Sequence, residues 1–168
     1  MLPDIDLRLD TIASALSEVV LPAVPAEECL AREHIVLAIA HLRMIKAQWR
    51  CALAFELGTF DAQCALARQL LPGLDDATLG AGISSALAAA GTLDRTDYDA
   101  VSRALKTLAA LLDGAIRDYE RGSPLEPALA AAVLDYGRRE AWRQRVWFAG
   151  AGIDPDRDEL PPIAALFD

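Results

Sequence analysis

The segment spanning residues 26–57 constrains the fold of this chain more than any other, because its residues follow the period of an α-helix. Apolar residues crowd one side of the helix that this period predicts, among them Leu30, Leu37 and Ile45. Down the middle of that side run five residues spaced seven apart: Glu27, His34, His41, Gln48 and Phe55. Polar groups on an apolar face are unusual, because burying them costs free energy unless each finds a hydrogen-bond partner. This polar line is therefore the leading candidate for a functional site.

The fold class follows from the residues that supply the apolar content. Of the 168 residues, 54% are apolar, and the excess is largely Ala and Leu, which are strong helix formers. Aromatic residues, which favour strands, make up only 6%. We therefore predict an all-α protein, an antiparallel bundle of five to six helices. The helix over residues 26–57 is expected at its centre, since it is apolar over more than half its circumference.

Turn and capping signals divide the rest of the chain. The other helices are predicted over residues 4–20, 59–71, 76–90, 96–121 and 124–149. Gly58 is expected to end the long second helix and Thr59 to cap the third, while Ser123 and Pro124 are expected to begin the last. These elements predict a bundle domain over residues 1–150. Residues 151–168 are predicted to form an acidic, proline-containing tail that can dock on the bundle, with the acidic stretch 154–159 as a solvated connector.

Glu140 is the residue of the last helix most suited to meet the polar line, because it falls on that helix's apolar side. The candidate ligand or pocket residues are therefore His34, His41, Gln48, Glu140 and Glu27. They can form a buried hydrogen-bonded network, or they can line a pocket for a small molecule between the second and sixth helices. In a third interpretation the helix face meets a second copy of the chain, and the polar residues set the register of a dimer.

A metal site is not predicted on this line. His34 and His41 lie about 10.5 Å apart along the helix axis, too far for one ion to be bound by both. No sequence motif of a catalytic, nucleotide-binding or metal-binding site is present, so no catalytic residue and no cofactor are predicted. The sequence favours a non-catalytic protein without deciding the question.

A second feature is the arginine- and tryptophan-rich run over residues 138–148. Arg138, Trp142 and Arg145 share the side of the last helix that faces away from its apolar line, a pattern typical of interface anchors. The same residues could also complement the helix dipole and fill gaps in the core, or bind an anionic ligand. We take them as candidates for an interface, and a homodimer as the expected assembly.

The net charge and the cysteines limit the partners and the cellular compartment that we expect for this protein. The net charge of −9 disfavours nucleic acid and anionic membranes as partners, and no apolar run is long enough to span a bilayer. The three cysteines are expected to be buried and reduced, and no secretory signal is visible, so a cytoplasmic location is predicted. The abundance of Ala, Leu, Arg and Asp with little Lys suggests a bacterial source. The overall prediction is a small helical protein that acts by self-association or as an accessory subunit. The alternative is a ligand- or metal-binding bundle, enzymatic or not, with its pocket between the second and sixth helices.

Overall fold

A computed structural model of the chain describes residues 4–121, 126–152 and 154–167, with the side chains of residues 118–121 excepted. Helices account for 82% of it, and the described part contains no strand, which confirms the all-α class. Six main helices follow one another: α1 (Ile5–Ala15), α2 (Cys29–Gln48), α3 (Ala52–Leu70), α4 (Ala77–Ala90), α5 (Tyr98–Arg121) and α6 (Pro127–Phe148). A π-helical segment, Leu16–Val20, and one helical turn, Leu21–Ala23, extend α1.

The long second helix is shorter than its sequence predicts. It ends at Gln48, and α3 begins at Ala52 and runs through Gly58 and Thr59, so the predicted stop and cap at these two residues are wrong. Two residues between α2 and α3 contact α1, and local sequence patterns do not predict such contacts. The indole Nε1 of Trp49 donates a 2.9 Å hydrogen bond to Asp6 in α1, and Arg50 forms a 2.9 Å ion pair with the same carboxylate.

Side-chain capping marks the starts of α4 and α5. Asp76 accepts hydrogen bonds from the backbone N–H groups of Thr78 and Leu79, and α4 begins at Ala77, one residue after its predicted start. The carboxylate of Asp97 likewise caps α5, which begins at Tyr98, two residues after its predicted start. The predicted capping residues Ser123 and Pro124 lie outside the described residues, and α6 is described from Pro127.

The chain divides into two compact units. The first contains Met1–Cys51 and Arg143–Asp168, and the second contains Ala52–Trp142. Helix α6 therefore begins in the second unit and ends in the first. The predicted single bundle over residues 1–150 and its antiparallel arrangement stay predictions.

In the first unit, α1 packs along α2 through contacts that join the start of one helix to the end of the other. Asp10 binds Lys46 at 2.7 Å, and at the opposite end Arg32 donates to the carbonyl oxygens of Leu21 and Val24 at 3.0 and 2.8 Å. Ile39 of α2 is buried, and so are Val146 and Trp147 near the end of α6.

In the second unit, the core is apolar and is built mainly by α3, α4 and α5. Phe60, Ala67 and Leu70 from α3 pack with Ile83 from α4 and Leu108 from α5, all at most 2% exposed. Leu129 and Val133 of α6 cover this cluster. A Cβ atom at Gly82 would lie 3.0 Å from Cδ2 of Leu111, so α4 and α5 approach closely at this glycine.

The described residues also test the predictions about membrane-spanning helices and about the burial of the cysteines. None of the described helices is both long and apolar enough to cross a membrane. The cysteines differ among themselves, since Cys64 is buried but Cys29 is exposed and Cys51 is half-buried. The prediction that all three are buried is therefore wrong.

Candidate functional site

The polar line of the second helix does not lie in the core. His34 and His41 are both exposed on α2, Glu27 lies in the turn before the helix, and Phe55 belongs to α3. Of the three interpretations of the polar line, a network buried within the chain does not apply to these two exposed histidines. Helix α1 packs against a different side of α2, where Lys46 binds Asp10 and Ile39 is buried. We call the exposed strip the histidine face, and it consists of Leu30, His34, Leu37, His41 and Ile45.

Gln48 is the only buried member of the predicted line among the residues of α2. Its side-chain Nε2 donates a 2.7 Å hydrogen bond to the backbone carbonyl oxygen of Trp147. The acceptor lies at the end of α6, where helix carbonyls lack a partner within the helix. Gln48 therefore has a structural role, which is the role that one of the three interpretations assigned to every polar residue of the line.

A cavity of about 480 Å³ opens beside His41 in the first unit. Its wall is formed mainly by His41, Met44, Gln144, Arg145, Phe148 and Asp154. The lining is mostly apolar, and the imidazole of His41 supplies it with a group that can both donate and accept hydrogen bonds. The cavity thus brings one of the predicted pocket residues next to the end of α6.

Arg145 binds the segment that follows α6. Its guanidinium donates to the Asp154 carboxylate at 2.7 and 3.0 Å and reaches Asp156 at 3.1 Å. The Arg145 hydrogen bonds lower the pKa of the Asp154 carboxyl, and the same contacts raise the pKa of the arginine. The acidic stretch is therefore anchored through Asp154 and Asp156, while residues 155–159 are exposed, as predicted for a solvated connector.

The predicted interface residues Arg138, Trp142 and Arg145 are all exposed, Trp142 by 43%. Arg145 also binds two aspartates of its own chain, and the role of the three residues in an interface stays a prediction. Sequence reasoning missed the Arg145 partners, although two aspartates nine and eleven residues downstream were a signal for them.

Glu140 lies in the second unit, where one carboxylate oxygen accepts a 3.1 Å hydrogen bond from the hydroxyl of Thr59. The pairing of Glu140 with the α2 histidines stays a prediction. Two other residues of α3 have buried oxygens without a hydrogen-bond partner among the described residues, namely Oε2 of Glu56 and Oε1 of Gln63. Tyr98 donates a 3.2 Å hydrogen bond to the other oxygen of Glu56, and partial burial together with this carboxylate raises the pKa of Tyr98.

Within the described residues, no three or more His, Cys, Asp or Glu side chains are grouped to hold a metal ion. No protein-family model, curated protein or solved structure matches this chain. The candidate sites that its geometry offers are the histidine face and the cavity beside His41.

Proposed function

We propose that this protein acts through contacts with other protein chains, first of all with a second copy of itself, and not by catalysis. The observation that carries the proposal is the exposure of large apolar side chains on the histidine face. Leu30 is 66% exposed, Leu37 is 46% exposed and Ile45 is 45% exposed. Single exposed apolar residues are ordinary, but these three follow one another along one strip of one helix.

The rest of the strip supports association as well. It contains no lysine, arginine, aspartate or glutamate, although charged residues make up 24% of the chain. Its two polar members are imidazoles, which do not carry the fixed charge of a lysine, arginine or carboxylate side chain, and charged residues are depleted at the core of interfaces. Ile5 and Ile12, on the neighbouring helix α1, add exposed apolar side chains to the same unit. Covering such surface would contribute roughly 25 cal/mol for each Å² removed from water.

Sedimentation velocity over a wide range of protein concentration tests this proposal. We expect a reversible equilibrium between monomer and dimer, with the dimer dominant at high concentration. A single monomeric species at every concentration would contradict self-association and leave only the role of an accessory subunit for a different protein.

The cavity beside His41 supports a second candidate, a bundle that binds a small molecule. Its volume of about 480 Å³ is within the range of ligand pockets, and its mostly apolar wall carries the polar groups of His41, Gln144 and Arg145. Native mass spectrometry of the protein purified without chelator tests this candidate. A bound mass that His41→Ala abolishes would favour it, and an apo dimer would favour association.

A further inference from the structure

We infer that the cavity beside His41 binds an uncharged aromatic small molecule that carries one hydroxyl or similar neutral polar group. The inference rests on the second candidate function, the small-molecule-binding bundle, and names the chemical class of its ligand. Helix α2 contributes His41 and Met44 to the wall of the cavity. The end of α6 contributes Phe148, and the segment after this helix contributes Asp154. The site is therefore a hollow between three parts of the first unit and not one face of a single helix.

The apolar part of the wall suits an aromatic ring system. Phe148 lies in the wall with 48% of its surface exposed, so its ring remains available for contact with another ring. Met44 supplies a thioether, and sulfur makes favourable contacts with aromatic rings. A dry cavity of about 150 Å³ accepts benzene. The cavity beside His41, at about 480 Å³, therefore has room for roughly two or three fused rings.

The charged side chains of the wall argue against an ionic ligand. Arg145 donates to both carboxylate oxygens of Asp154 and also to Asp156. The backbone N–H of Asp156 donates a further 2.9 Å hydrogen bond to the Asp154 carboxylate. Because these charges are paired within the chain, an ion that enters the cavity loses water without gaining a free opposite charge. An unpaired ion is far more costly to remove from water than a neutral group, so a neutral ligand is favoured.

His41 is the polar group that can orient the ligand. Its side chain lies in the wall and makes no hydrogen bond to another described residue. An imidazole always presents at least one N–H donor, and its neutral form also presents an acceptor nitrogen. A hydroxyl group both donates and accepts, so it can form a hydrogen bond with either form. The ligand is therefore expected to place its polar group against His41 and its rings against Phe148.

The segment after α6 forms one side of the cavity, which couples ligand binding to the docking of this segment. Asp154 and Pro155 belong to the wall, and Arg145 holds Asp154 in place. A molecule that contacts this wall binds the docked form better than the undocked form and so increases its population. A bound ligand should therefore slow amide hydrogen exchange over residues 154–167. Binding that leaves this exchange unchanged would place the ligand elsewhere on the protein and overturn the inference.

Three probes that share a naphthalene ring system test the chemical class. Naphthylmethanol is neutral and carries a hydroxyl group, naphthoate is an anion, and naphthylmethylamine is a cation at neutral pH. In equilibrium dialysis we expect naphthylmethanol to bind, and each ion to bind at least about tenfold more weakly. An ion that binds as tightly as the alcohol would show that the inferred class is wrong.

A pair of variants tests the location of the site. Phe148→Ala should weaken the binding of naphthylmethanol by at least about threefold, because it removes the aromatic contact. Val36→Ala is the matched control, since Val36 is 54% exposed and lines a different cavity beside α2. Circular dichroism establishes that both variants remain folded. Equal affinities in the two variants would contradict binding beside His41.

A further variant tests the hydrogen bond to the imidazole. His41→Ala should lower the affinity for naphthylmethanol by about two- to tenfold relative to that for ethylnaphthalene, which has no hydroxyl group. Comparing the two probes in the same variant separates the lost hydrogen bond from lost wall area. An unchanged ratio of the two affinities would show that His41 does not bind the polar group of the ligand.

The outcomes also separate the inference from the function on which it rests. If naphthylmethanol does not bind but native mass spectrometry finds a bound mass that His41→Ala abolishes, the small-molecule candidate stands and the inferred class is wrong. If neither is observed, both are overturned. Binding of the alcohol with the expected order of probes, variants and hydrogen exchange would establish the site and its class.

Discussion

The side-chain amide of Gln48 donates a 2.7 Å hydrogen bond to the backbone carbonyl of Trp147, 99 residues further along the chain. This contact joins the end of α2 to the end of α6 within the first unit, and both residues are buried. Of the four polar residues of the line, Glu27, His34, His41 and Gln48, it is Gln48 that is buried.

Gln48→Leu should therefore lower the free energy of unfolding by roughly 1–3 kcal/mol, because a buried carbonyl group loses its side-chain donor. Urea denaturation followed by circular dichroism measures the change. Gln63→Leu is the matched control, since Gln63 is also buried but its side-chain oxygen has no hydrogen-bond partner among the described residues. An equal loss in both variants would show that volume, and not the hydrogen bond, determines the effect.

Asp154 should make the docking of the C-terminal segment sensitive to acid. Its pKa is lowered in the folded protein by Arg145, so its stabilising contribution is complete above the pKa of a free aspartate, about 3.9. The contribution is lost as the pH falls through the lowered value. Asp154→Asn should remove this acid sensitivity and increase amide hydrogen exchange over residues 154–167 at neutral pH.

The control for that experiment is Asp158→Asn, because the Asp158 side chain is 95% exposed and lies 3.7 Å from Arg157. Its hydrogen exchange should match that of the unchanged protein. Unaltered exchange in Asp154→Asn would mean that the Arg145 ion pair does not hold the segment.

Glycine substitutions should separate helix propensity from packing. Gly137 lies inside α6, and no other side chain lies within 4 Å of the position that an added methyl group would take. Gly137→Ala should therefore stabilise the protein by about 0.5–1 kcal/mol. Gly82→Ala gains the same propensity but brings a methyl group to 3.0 Å from Leu111. Thermal unfolding should show a smaller gain or a loss for Gly82→Ala, and equal gains would contradict the close approach of α4 and α5.

Thiol reactivity should distinguish two cysteines. Cys29 is exposed, whereas Cys64 is 4% exposed and burial raises the pKa of its thiol. Because the thiolate is the reactive form, a chromogenic disulfide reagent should modify Cys29 quickly and Cys64 only on unfolding. In a Cys51→Ser background, which removes the half-buried third thiol, Cys29→Ser should remove the fast phase, and a fast phase that survives would contradict this assignment.

Local sequence was sufficient to determine the helical class, because abundant Ala and Leu at helical spacing leave few other ways to bury apolar surface. It was also sufficient for the start of α4, where Asp76 caps the helix through atoms only two and three residues away. Both results depend on interactions between residues that are close in the chain.

Contacts between distant segments determined what local patterns could not. The second helix ends at Gln48, and the next two residues, Trp49 and Arg50, both bind Asp6 of another helix. Periodicity identified one side of α2 as apolar, but the packing of α1 determined that His34 and His41 remain exposed. Arg145 binds Asp154 because the chain turns back toward α6 after this helix ends. A helical pattern fixes which residues share a face, and only the packing of distant segments decides whether that face is covered.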